Sequence, residues 1–191
     1  YIAYHNDPAL QSKMLAAVDA HVKHDQVIQA TYGTGSGYQF RGCFIGCTIH
    51  ALDGDTVSKF NDVDRVFDAY GFPPMLTRLC ERIFEGLPSA DAPAFFKDVP
   101  NALNLGADIS LVVWKFLHWM VVDTLEKHGT DETRKGCADA VAVLLDRANG
   151  IDVTPQRADA AAADADADAA ADAARWSAAA ARCSADAAAA A

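Results

Sequence analysis

The sequence predicts an all-α fold: a compact, bundle-like helical domain followed by a long alanine-rich helix. Three observations lead there. Apolar residues recur at intervals of three and four over most of the chain. Capping residues paired with proline open these runs, and glycines close them. Alternating β-branched stretches joined by hairpin turns are scarce. The 191 residues are 51% hydrophobic, enough for a sizeable core. They divide into an expected globular domain over 1–150 and an Ala/Asp-rich tail over 151–191.

Asp7-Pro8 pairs a capping side chain with proline at the first helical position. Leu10, Met14, Ala17, Val18, His21 and Ile28 follow at helical spacing, predicting a helix over about 8–30. The loop TYGTGSGYQF (31–40) breaks it, and a short helix is expected over about 41–52, before the turn Asp53-Gly54-Asp55. Phe60, Val63, Phe67 and Tyr70 mark a third helix, which Gly71 ends. Pro73-Pro74 opens a fourth, with Leu76, Leu79, Cys80, Ile83 and Phe84 inward, until Gly86 and Pro88 stop it. A short helical piece is expected around 91–98. From Asp108, read as an N-cap, to about Lys127 runs the most apolar helix. Its stretch ISLVVWKFLHWMVV carries Lys115 and His118, so it is too short and too polar to span a bilayer and is expected to be a buried core helix, His118 included. Thr130 or Asp131 caps the next helix, which runs to Asn149-Gly150.

Thr154-Pro155 opens the tail. Alanine is the best helix former, and Asp164, Asp168 and Asp172 fall four apart on one stripe. A helix of this length, about 55 Å at 1.5 Å per residue, is either a solvated tail or a docked or self-associating helix. Asp159 to Asp172 lacks the glycine and closing glutamate of a calcium loop.

The formal net charge of −10 argues against general nucleic-acid binding and against adsorption to an anionic membrane. The chain opens YIAYHNDPAL, without an apolar leader, and its five cysteines form no regular framework. A cytoplasmic protein with reduced thiols is the expectation.

The stretch RGCFIGCTIHALDGD concentrates the chemistry. On a helix, Cys43, Cys47 and His50 share one ridge, with Gly42 and Gly46 beside it. Three readings compete. Small thiols and glycines could be chosen for size in a buried helix. Two thiolates and an imidazole could bind zinc, although C-x3-C is not the usual knuckle and no second cysteine pair follows, so no cofactor is expected. Cys43, near the helix start beside Arg41, could be an activated thiol with His21 or His50 as base. The glycine loop before that helix makes Gly35, Ser36, Gly37 and Arg41 candidate anion ligands, yet no strand precedes it and a plain connector is the simpler reading. His21, Asp25, Cys43, Cys47, His50 and Glu85 are the candidates for a catalytic cluster inside a bundle. His24-Asp25 is the dipeptide of metal phosphohydrolases without the other residues that class requires. Glu81 and Glu85 lie four apart on the fourth helix.

The blocks YHNDPAL, AHVKHDQVIQATYG, RGCFIGCTIH, FPPMLTRLCERIFEGLP and GADISLVVWKFLHWMVVD resemble a family of uncharacterised bacterial and bacteriophage proteins with alanine-rich C-terminal tails. RGC-x2-GC-x2-H is the most specific of them. The resemblance implies organisation and no activity. It also implies an acidic pair where this chain has Cys80 and Glu81. The resulting expectation is a phage-associated accessory protein that acts by protein binding, oligomerising through its tail. The alternative is a small thiol- or metal-dependent hydrolase or transferase built around Cys43, Cys47 and His50.

Overall fold

Helices dominate the computed structural model, which describes residues 1–56 and 59–163, and no strand forms among them. The all-α expectation holds for these residues. The continuous helix expected over 164–191 lies outside them.

The chain divides into two units, Tyr1–Ser110 and Leu111 onward, well before the boundary expected at residue 150. The first holds α1 (Pro8–Lys23), α2 (Phe44–Asp53), α3 (Val63–Tyr70), α4 (Pro74–Gly86) and α5 (Ala92–Asn101). The second holds α6 (Val112–His128), α7 (Asp131–Gly136) and α8 (Ala138–Ala148), followed by helical residues 155–163. The division follows from packing: α6 finds its main partner in α8, across the short α7 connection.

Asp7 caps α1, its Oδ1 accepting from the N–H groups of Ala9 and Leu10, and Pro8 supplies the first turn. The helix stops at Lys23, not near 30, because Asp25 takes a left-handed φ of +53°. The chain then runs extended and pairs Val27 with Gly42, so Arg41 and Gly42 are not helical and Cys43 becomes the N-cap of α2. Asp62 caps α3, and Gly71, at φ +75°, closes it. Asp108 does not cap α6: its Oδ1 accepts from the N–H and hydroxyl of Ser110, and the helix begins at Val112. Thr130 does cap α7, its hydroxyl accepting from the N–H of Thr133. A break at Cys137 separates α7 from α8, where the sequence suggested one helix.

α2 is the centre of the first unit, packed against α1, α3 and α4. Phe44, Ile45, Gly46, Cys47, Thr48 and Ile49 are all buried, as expected of a helix that is apolar all round. Gly46 admits a loop, not a helix: a β-carbon there would lie 1.3 Å from the carbonyl oxygen of Tyr32. Tyr4, Phe40, Phe44, Phe84 and Phe96 fill the remaining space. Arg65 on α3 pairs with Asp53 at the end of α2 (Nε to Oδ2 3.0 Å) and with Asp68.

α6 departs from expectation most. Val113 is its one fully buried residue and His118 is half-buried, so it is not a core helix. Its apolar surface exceeds what α8 covers.

Candidate functional site

The two ends of α2 face different surroundings. Cys43 caps its start, Cys47 sits one turn in, and His50 lies in its last turn. The two cysteines are buried free thiols. The Cys47 thiol donates to the carbonyl of Gly42 (3.1 Å) and contacts that of Gln26 (3.6 Å). Burial pushes both thiols well above their ordinary range, and the nearby Glu81 carboxylate raises Cys43 further. A nucleophilic cysteine needs the opposite environment, one that favours thiolate. This packing supports the reading in which sulfur serves as filler.

At the other end, His50 joins His21 of α1 and Asp55 of the turn after α2. His21 Nδ1 lies 2.6 Å from the Ala17 carbonyl, His21 Nε2 lies 2.9 Å from His50 Nδ1, and His50 Nε2 lies 3.1 Å from Asp55 Oδ1. A carbonyl and a carboxylate only accept, so the outer nitrogens must donate. The contact between the rings is a hydrogen bond when one of its two nitrogens carries a proton. Burial, above all, lowers the His21 pKa, with the His50 charge adding to it against the Ala17 hydrogen bond. His21 is thus the ring that burial keeps neutral, and it is placed to accept from His50. The Gly37 N–H and then the His50 ring hold the Asp55 carboxyl below its usual range. Phe40 stacks on His50 with ring centroids 4.0 Å apart.

This relay borders a cleft of about 440 Å³ lined by His21, His24, Gln26, Tyr38, His50 and Asp55. Both nitrogens of His50 are engaged, as are both of His21. Neither ring presents a free base to the cleft.

The candidate anion site at the glycine loop is occupied from within. The Gly37 N–H donates to Asp55 (2.7 Å), and Arg41 Nη1 donates to the carbonyls of Tyr38 and Phe40. Ser36 makes no capping bond, and Gly35 serves the turn, at φ +77°. The loop is an ordered connector tied back by Thr34–Arg41 pairing. Asp25 is exposed and joins neither group.

Cys43, Cys47 and His50 do not meet at one ion position. Among the described residues, the group whose ligand atoms converge is Cys43, Glu81 and Glu85, within 4.8 Å of one another. Glu81 lies at the start of α2, where its Oε2 accepts from the Ile45 N–H (3.1 Å). Burial raises its pKa, against the hydrogen bonds from Cys43 and Ile45. Both oxygens of Glu85 accept from the Ala30 N–H, at 3.2 and 2.9 Å. Of the six sequence candidates for a catalytic cluster, the structure thus pairs His21 with His50 and Cys43 with Glu85, and leaves Asp25 and Cys47 apart. Sequence reasoning missed Asp55 and Glu81. The Asp-Gly-Asp turn just after α2 was a signal for the first, and the i, i+4 spacing from Glu85 for the second.

Compared with known protein families, curated proteins and solved structures, the chain matches none.

Proposed function

We propose that the chain is an accessory protein that acts by binding and not by catalysis, and that its binding partner is a second copy of itself. The observation that carries this reading is the outward face of α6. Val112, Phe116, Trp119 and Met120 fall within about 100° on that helix. Trp119 is 58% exposed, with Val112 and Met120 exposed beside it, and the Phe116 ring lies 5.8 Å from that of Trp119. A contiguous apolar face anchored by tryptophan is the usual core of a protein contact. A single helix face is also self-complementary when two copies meet across a two-fold axis. The other face of α6 is already engaged, with Arg147 of α8 lying 5.5 Å over the Trp114 ring.

The alanine-rich segment begins in the same unit. Thr154 accepts from the Arg157 N–H, Arg157 pairs with Asp146 at 2.6 Å, and Ala161 is buried. Residues 155–163 are helical and add to the surface available to a second copy. The phage-associated setting belongs to the same proposal and rests on the sequence blocks alone, and the cytoplasmic one rests on the cysteines, which form no regular framework. No helix among the described residues is long and apolar enough to cross a membrane.

Sedimentation velocity of the full chain beside Trp119→Glu tests the reading. A dimer that becomes monomeric on substitution supports it. A full chain that stays monomeric at high concentration, or a Trp119→Glu dimer as tight as the original, overturns it.

A further inference from the structure

We propose that Cys43, Glu81 and Glu85 form a binding site for one divalent cation of the zinc class, at the junction of α2, α4 and the loop at Ala30. The site lies in the first unit and is independent of self-association through α6.

The three ligand atoms come from separate turns of chain and already lie within 4.8 Å of one another. Each is held from behind. The Cys43 N–H donates to the Thr31 carbonyl at 2.8 Å, Glu81 accepts from Ile45, and Glu85 accepts from Ala30. Such supporting bonds orient ligands without exhausting them, because each carboxylate keeps further lone pairs.

Charge gives the second argument. Among the described residues, no lysine, arginine or histidine forms an ion pair with Glu81 or Glu85. Two carboxylates four apart on a helix repel each other. One of them faces a thiol that is 1% exposed. Glu81 is half-buried without a counter-charge, which is costly, and a bound cation shared with the exposed Glu85 supplies that charge.

The third argument is space. A cavity of about 240 Å³ is lined by Cys43, Glu81, Glu85 and the Ala30–Tyr32 loop, with room for an ion and its water. Sulfur among the ligands disfavours the hard cations magnesium and calcium and suits zinc. Three protein ligands facing a cavity leave a coordination position open, unlike a closed structural site with four. On uptake the Cys43 S–H bond breaks, a sulfur–metal bond forms and the proton passes to solvent, so affinity rises with pH.

The test is titration of the full chain, stripped of metal by chelation, with cobalt(II) chloride and then zinc chloride. The expected result is one equivalent of cobalt with a sulfur-to-cobalt charge-transfer band, which zinc displaces and magnesium does not. Cys43→Ala loses the band. Glu85→Gln, at an exposed position, weakens zinc binding by about tenfold or more. Cys137→Ser binds as the original does. A folded full chain without the band overturns the proposal, as does a band that survives Cys43→Ala. Undiminished zinc affinity in Glu85→Gln overturns it too, and that variant decides the matter should Cys43→Ala not fold.

Discussion

His21 sits edge-on between Phe40 and Phe96, donates to Ala17 and accepts from His50. Protonation of His21 would place a buried imidazolium in this largely apolar wall, 5.1 Å from the His50 ring. Because the folded pKa of His21 lies below its ordinary value of 6.5, its contribution to stability is complete above that pH and is lost as acid drives the ring's folded-state titration. Asp55, with a lowered pKa of its own, adds a loss of the same sign from about its ordinary 3.8 downward. We therefore expect the melting temperature to be flat from pH 8 to 7 and to fall below about 6.5. His21→Gln should flatten the first part of that fall; an unchanged profile in this variant would remove the relay from the account. Gly46 offers a second residue-level prediction. A methyl group there would collide with the Tyr32 carbonyl, so Gly46→Ala should cost about 3 kcal/mol or more in chemical denaturation.

Among the elements, α4 could be read almost to the residue, and so could the end of α3 at Gly71. Gly71, the Pro73-Pro74 pair and Gly86 are local signals that backbone geometry obeys; Phe60, expected on α3, instead precedes its Asp62 cap. α1 was overextended because the apolar spacing continues to Ile28, while the turn at Asp25 depends on pairing with Gly42, far along the chain. α6 misled in the other direction. Its composition is that of a core helix, yet burial depends on how many neighbours arrive, and α8 covers one face. The Cys43–Glu81–Glu85 group was hidden for a similar reason: spacing joins Glu81 to Glu85 on α4, but no spacing rule joins either to Cys43 at the start of α2. Arg65 shows how such long-range ties act between elements. It holds the start of α3 to the end of α2 through Asp53, with half-exposed partners that solvent screens. Arg65→Ala should lower stability by about 1 kcal/mol and no more, read as a shift in denaturation midpoint at unchanged slope.

For the molecule as a whole, the claim on which the rest depends is that α2 forms the packed centre of the first unit and that its Cys47 thiol is reached by solvent only when the unit opens, while Cys43 lines the cavity at its start. Glycine and cysteine at alternate turns announced a tightly packed helix in the sequence, but not the loop that packs on it or the carboxylate at its start. Burial also pushes the Cys80 thiol up to about 12, so Cys47 and Cys80 are shielded in the core of the first unit, whereas Cys137 in the second is half-buried. Native-state labelling of each cysteine at neutral pH, with chelator present, tests this most directly. Cys137 should react at the rate of an accessible thiol, and Cys47 and Cys80 should react together, at the slower rate set by opening of the unit. Rapid modification of Cys47 or Cys80 in the folded chain would contradict it, since it would show a thiolate at the surface where the structure places a thiol in the core.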